Sequence, residues 1–391
     1  MRPVLFETGA SGHARPSVAT RGILTTPVAA ARDLADARAR TLELIAHLAP
    51  DDLERALDPL MSPLVWDLAH IAAYEELWIG HRVGALELLH PDRAAMYDAF
   101  ETPRAVRGDL PLLDTAGALT YLAEVRERSD AVLERPLSAE DAGLVELVLR
   151  HELQHTETMR QAMSLGGLLP PGEPPVPVAG AAPRWDDAWV SIPRGRVAVG
   201  AGPGGFAYDN ERPRHERELP AFSVARRPVT NASWLRFAEG GGYVRREWWS
   251  DEGWAWKEEY DITHHSGVAA APPRAPVCHV SWFEADAFAR SRGARLPTEH
   301  EWEKASASNQ LDVTGHVWEW TCSAFTGYPG FTAYPYREYS EVFFGSEYRV
   351  LRGGSWATHP RVAALTFRNW DLPQRRQLFA GLRLARDPEV V

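Results

Sequence analysis

His151 and His155 stand one helical turn apart in the stretch RHELQHTETM. Residues four apart on a helix lie one above the other on the same face, so both imidazoles can grip one ion. A third histidine, His70, sits in SPLVWDLAHIAAYEELW among apolar neighbours. By itself it reads as a satisfied core histidine. Facing an i, i+4 pair on another helix, it completes a site of three imidazoles. Neutral imidazole suits zinc, iron, copper or nickel, and spacing does not choose among them. HELQH also has the H-E-x-x-H form, with Glu152 where a zinc protease keeps its general base. Such proteases take their third ligand downstream. Here it lies upstream, and the protease reading ranks low.

These side chains need a helical frame, and the first half supplies one. Apolar positions recur at three- and four-residue spacing over residues 29–48. A second helix runs from about Pro63 to Val83, with Ser62 as its expected N-cap. A third follows Asp114 through Leu119 and Val125 to Val132, and a fourth runs from Ala139 to about Leu165. Short connections predict an antiparallel four-helix bundle over residues 28–168. Residues 1–27 read as a flexible tail. Residues 169–184 are rich in Pro, Gly and Ala and read as a linker.

From 185 to 391 the texture is different. Short β-like runs are expected at Trp189–Ile192, Arg196–Val199, Phe222–Ala225, Val277–Val280 and Tyr348–Leu351. Two helices are expected near Asn231–Glu239 and Trp282–Arg292. The fold class is α+β, a helical bundle followed by a loop-rich second domain.

Composition excludes several functions. The 391 residues carry a net charge of −11, which argues against nucleic acid and a polybasic membrane face. No apolar run approaches the roughly 20 residues of a membrane span. The N-terminus lacks a charged n-region followed by an apolar h-region, so no secretory signal is expected. The two cysteines, Cys278 and Cys322, exclude a disulfide framework and point to a reducing cytoplasm. Both are expected to be buried thiols. Most of the 15 tryptophans fall after position 180, giving the second half an aromatic-rich core.

At this point the residues resemble a known family. SPLVWDLAH followed by HELQHTE resembles the H…HxxxHxE signature of the DinB-like bundle in sulfoxide synthases of ergothioneine biosynthesis. The second half resembles the formylglycine-generating-enzyme domain, with its C-type-lectin-like fold. The matching stretches are RRPVTNASWLRF (226–237), HVSWFEADAFA (279–289), RLPTEHEWEKA (295–305), GHVWEWT (315–321), RVLRGGSW (349–356) and FAGLRLAR (379–386). The two likenesses cover nearly everything from about residue 30 to 388.

The resemblance implies iron(II) on His70, His151 and His155, and dioxygen as oxidant. It implies a reaction joining a thiol to C2 of the hercynine imidazole, with oxidation of the sulfur to a sulfoxide. In the branch this chain is most similar to, the thiol donor is γ-glutamylcysteine. Carried over residue by residue, Tyr336 is the proton donor in oxygen activation. Gln154 and Tyr339 contact the substrate imidazole. Asn369 and Trp370 form the pocket for the betaine end. Arg104, Arg107, Asp371 and Arg375 bind the thiol donor.

Physical logic agrees with that set. A donor with two carboxylates and one ammonium wants several guanidinium forks and one carboxylate. A quaternary ammonium wants an aromatic face, which Trp370 can offer. A tyrosine can give a proton to reduced oxygen.

Two departures stand out. Formylglycine-generating enzymes hold copper with a cysteine pair near the segment after RGGS, which here reads WATHPRVAALTFRNW without cysteine. The stretch between WEKA and GHVWEWT is short, SASNQLDVT at 306–314. Rival readings are a selenoneine synthase using a selenosugar and a sulfoxide synthase using free cysteine. A non-catalytic lectin-like binding module is a third, from a different class.

Overall fold

The computed structural model describes residues 27–174, 188–265 and 267–388. Nearly all of the expected tail, and the part of the linker from 175 onward, lie outside the described residues.

The first half is built on four long helices. They are α1 (Pro27–Ile45), α3 (Leu64–Glu75), α4 (Thr115–Val132) and α5 (Ala139–Gly166), with a short α2 (Pro50–Glu54) between the first two. Helix α3 continues as a π-helical segment over Glu76–Val83. Local chemistry sets the ends. Asp114 accepts from the Gly117 N–H at the start of α4. Ser138 and Asp141 form a capping box at the start of α5, and Gly167 closes it in the left-handed conformation at φ 67°. The expected Ser62 cap is not formed. Pro63 occupies the cap position without a side-chain bond, and the Ser62 hydroxyl instead accepts from Arg107.

Helix α5 is buried on almost all sides between Leu144 and Met163. It packs on α1 and α3 and also on the second half. This all-round burial explains its weak amphipathic pattern.

Among the described residues the second half has three small sheets. β1 (Trp189–Ile192), β4 (Phe222–Ala225) and β9 (Ala385–Arg386) form one, in the order β1-β4-β9. β2 (Gly195–Val199) and β3 (His215–Leu219) form a hairpin. β7 (Asn369–Asp371), β6 (Arg349–Arg352), β5 (Trp318–Ala324) and β8 (Ala380–Leu382) form the third, with β5 and β8 parallel. Among the described residues the second half also has four α-helices, α6 (Asn231–Glu239), α7 (Asp251–Glu259), α8 (Trp282–Ser291) and α9 (Glu299–Ala307). This is the expected α+β class.

Three strands agree with the expected runs to within a residue at each end, and the Arg196–Val199 run gains Gly195. The Val277–Val280 run forms no strand. Its backbone bonds go singly to Val229 and Ala380 instead. The short 306–314 segment closes as a turn in which Asn309 and Val313 take positive φ, and Asp312 pairs with Arg226 and Arg227.

One apolar cluster runs from Leu34 and Leu149 of the bundle to Trp318 and Trp370 of the second half. The core of the second half also holds buried ion pairs, Arg383–Glu319 at 2.7 Å and Arg368–Glu299 at 2.7 Å. Among the described residues no helix is long and apolar enough to cross a membrane. Cys278 is half-buried and Cys322 exposed, so the expected burial of Cys322 is corrected: its residue lies at the surface end of β5.

Candidate metal centre

Helices α3 and α5 bring His70, His151 and His155 together, all buried. Their candidate ligand atoms lie within 4.8 Å of one another. The Nε2 atoms of His70 and His151 are 3.1 Å apart. Metal–imidazole bonds of about 2.1 Å at a right angle put two nitrogens about 3.0 Å apart. The cluster therefore fits one ion held on one face, with other coordination positions left for small molecules.

The outer nitrogens are also placed. His70 Nδ1 lies 2.7 Å from the Tyr97 carbonyl oxygen, so it donates there and leaves Nε2 as the ligating atom. His155 Nδ1 lies 2.7 Å from the Asp67 carboxylate. Trp66 stacks on the His70 ring at 4.6 Å, and Tyr74 stacks on the His151 ring at 3.7 Å. Sequence reasoning missed Asp67, Tyr97 and Tyr74. The signal for Asp67 was an acid in the otherwise apolar α3, three residues before His70.

Glu152 is turned away from the cluster. Arg38 Nε donates to it at 2.7 Å, and Thr41 Oγ1 donates at 2.9 Å. Arg38 and Arg126 also clamp Glu75. Burial pushes the Glu75 carboxyl up, but Arg126 and Arg38 pull it down to about 2. A residue spent in this buried network cannot serve as a protease base, which removes the H-E-x-x-H reading.

Glu157, two residues past His155, joins the halves. It accepts from Trp318 Nε1 at 2.9 Å, Ser355 Oγ at 2.9 Å and Thr358 Oγ1 at 3.3 Å. Burial raises its carboxyl to about 7 against those three bonds.

The second half brings several expected residues toward the cluster. The Tyr336 hydroxyl is 3.3 Å from the Tyr74 hydroxyl. Tyr339 lies edge-on to Tyr336 at 6.2 Å and to Trp370 at 5.9 Å. Gln154 is buried on α5, and its Oε1 accepts from the Tyr208 hydroxyl at 2.5 Å. The Gln154 Nε2 has no hydrogen-bond partner among the described residues. Tyr208, also missed in the sequence, stacks on Tyr339 at 4.7 Å. On β7, Asn369 and Trp370 are buried, and Trp370 stacks on Phe325 at 4.2 Å.

Asp371 and Arg375 pair at 3.7 Å. Burial raises the Asp371 carboxyl, and Arg375 and Arg104 pull it back, which puts three of the four expected donor-binding residues in one electrostatic group. Arg107 is placed differently. Its guanidinium lies 3.6 Å from the Trp66 ring centroid. Its nitrogens donate to Thr102 O, Ser62 Oγ and Ala99 O. Those donors are spent inside the bundle, where Arg107 props the indole that stacks on His70.

Comparison with known proteins covers both halves. Residues 33–159 match the DinB superfamily, and residues 176–311 and 310–388 match the sulfatase-modifying factor enzyme 1-like domain. Hercynine oxygenase of Mycolicibacterium thermoresistibile is 41% identical over an alignment of 428 residues, covering 91% of this chain and 94% of that one. Hercynine oxygenase of Mycobacterium tuberculosis is 41% identical, covering 93% of this chain and 100% of that one. Ergothioneine biosynthesis protein 1 of Schizosaccharomyces pombe is 24% identical, covering 64% of this chain and 40% of that one. The likeness runs through the bundle that carries the three histidines and the domain that faces them. The chain is an oxidoreductase and belongs to the hercynine oxygenase family of ergothioneine-biosynthesis sulfoxide synthases.

Proposed function

We propose that this enzyme uses iron(II) and dioxygen to join γ-glutamylcysteine to C2 of the hercynine imidazole, giving a sulfoxide. The observation that carries the reading is the buried histidine cluster, with two Nε2 atoms 3.1 Å apart and outer nitrogens tied to Tyr97 and Asp67. Iron(II) held by His70, His151 and His155 would supply electrons for dioxygen and a Lewis-acid position for a thiolate.

The protein's own groups account for the rest. Gln154 turns its unpartnered Nε2 to a substrate acceptor, and the substrate imidazole offers one. Tyr339 and Trp370 meet edge to face beside Asn369, and an aromatic wall suits a trimethylammonium. Asp371, Arg375 and Arg104 suit a donor carrying both carboxylate and ammonium groups. Tyr336 gives a proton to oxygen as it is reduced, steering the reaction to carbon–sulfur bond formation. Free thiols at Cys278 and Cys322 suit a cytoplasmic enzyme.

The test is direct. Iron-loaded enzyme is incubated with hercynine, dioxygen and one of γ-glutamylcysteine, cysteine or a selenosugar. Mass spectrometry should find the γ-glutamylcysteine sulfoxide conjugate of hercynine as the fastest-formed product. Faster conjugation of cysteine or of the selenosugar would contradict the donor, and no conjugate with any donor would contradict the reaction.

A further inference from the structure

We propose that Tyr74 is a positioning residue that holds the Tyr336 hydroxyl in line with the histidine cluster. The inference rests on the reading of Tyr336 as proton donor.

Tyr74 lies on α3, four residues after His70 and so on the same face. Its ring is buried and stacks on His151 with centroids 3.7 Å apart and planes 12° from parallel. Its hydroxyl is 3.3 Å from that of Tyr336. Trp78, four residues further along the chain, stacks on the Tyr336 ring at 5.3 Å. One strip of the bundle therefore carries a ligand ring (His70), a hydroxyl partner (Tyr74) and a ring support (Trp78). Tyr336 enters from the second half on extended backbone at φ −150° and ψ 151°, at the start of the Arg337–Tyr339 turn. Its ring and hydroxyl are thus both located by side chains of the other half.

A phenol hydrogen lies near the ring plane in either of two opposite orientations, so a ring held in place does not choose which way its proton points. A second hydroxyl within bonding range favours one of the two. In the transfer, the Tyr336 O–H bond breaks and its electron pair stays on the tyrosine oxygen. The proton goes to the oxygen being reduced; dioxygen is the oxidant and the thiol donor is oxidised. Tyr74 then donates its own hydrogen bond to the phenolate, a charge-assisted contact, and none of its bonds breaks.

The test uses the full-length, metal-loaded enzyme and γ-glutamylcysteine with hercynine. Tyr74→Phe keeps the ring on His151 and removes only the hydroxyl. Metal content should be unchanged and both KM values within about twofold, while kcat for the sulfoxide falls about tenfold. Product should shift toward oxidised thiol without a carbon–sulfur bond. Added to Tyr336→Phe, the same substitution should change nothing further. Incorporating 3-fluorotyrosine at position 74, which keeps the hydroxyl, should restore the product ratio. An equal loss in both backgrounds would overturn the proposal, as would an unchanged product ratio or loss of metal from Tyr74→Phe. Those results leave the Tyr336 reading standing. An unchanged ratio in Tyr336→Phe alone would sink that reading and this proposal together.

Discussion

The two halves hold their functional side chains in different ways. In the bundle, both His70 and His155 have their outer nitrogens fixed at 2.7 Å, and aromatic rings cover His70 and His151. Beneath them lies the buried network of Arg38, Glu75, Arg126 and Glu152. In the second half, Asp371 and Arg375 sit on a three-residue strand and the turn after it, partly exposed, with a pair distance of 3.7 Å. Order is concentrated at the histidine cluster, and placement is looser at Asp371 and Arg375, where donor binding is proposed. The contrast sets a tightly held histidine cluster in the bundle against looser proposed donor contacts, Asp371 and Arg375, in the lectin-like half.

The hardest break to that contrast is His151→Ala. Removing one of three ligands should lower activity by about a thousandfold or more and abolish stoichiometric metal binding. Full metal content in that variant, measured by elemental analysis, would take the reactive centre out of the bundle. Next comes the joint between the halves. Glu157→Ala orphans the Trp318, Ser355 and Thr358 donors and should cost about 3 kcal/mol of stability, read by urea denaturation. A loss below about 1 kcal/mol would mean that water replaces the carboxylate.

Asp67→Asn sharpens the account of the bundle. It removes the charge behind His155, and metal affinity should weaken about 10- to 100-fold while the fold persists. A chelator competition assay reads that change, and equal affinity would make Asp67 a packing residue only. On the recognition side, Arg375→Ala should raise KM for the thiol donor about tenfold and leave KM for hercynine within about twofold. The figure is modest because the guanidinium is 22% exposed and water screens it. Equal shifts in both constants would blur the division of labour.

The smallest expected effect is a pH dependence. Burial raises the Asp209 carboxyl from 3.8 to about 6, despite hydrogen bonds from Ser340 and the Tyr334 and Asn210 backbone. The folded state then holds this proton more tightly than the unfolded chain. Its stabilising contribution is full below the ordinary value and is lost as pH rises through about 6. Asp209→Asn should remove about 1–2 kcal/mol of that slope between pH 4 and 6. Denaturation midpoints across that range check it, and an unchanged slope would show that Asp209 titrates near its ordinary value.

Much of this was legible in the chain. The HELQH spacing picked out two members of the histidine cluster because a helix turns them onto one face. The helix expected near Asn231–Glu239 is α6, and the Thr230 hydroxyl that caps it was a signal not read. Other signals were present and unread. Thr298 and Glu301 form a capping box that starts α9, and Ser250 caps α7. Strands β7, β8 and β9 have three residues or fewer, too short for any alternation to show. The partners of the ligands were not legible. Tyr97 contributes a backbone carbonyl, which every residue has. Arg107 was read as a substrate contact, since sequence does not reveal that Ser62, Thr102 and Ala99 use its donors.

The most direct test is X-ray absorption at the iron edge on anaerobic, iron(II)-loaded enzyme, before and after adding γ-glutamylcysteine and hercynine. Three imidazole nitrogen scatterers are predicted in the free enzyme, with a sulfur scatterer appearing only when substrate is added. His70→Ala should reduce the imidazole count by one. A spectrum with fewer than three imidazoles, or one unchanged in His70→Ala, would contradict the account.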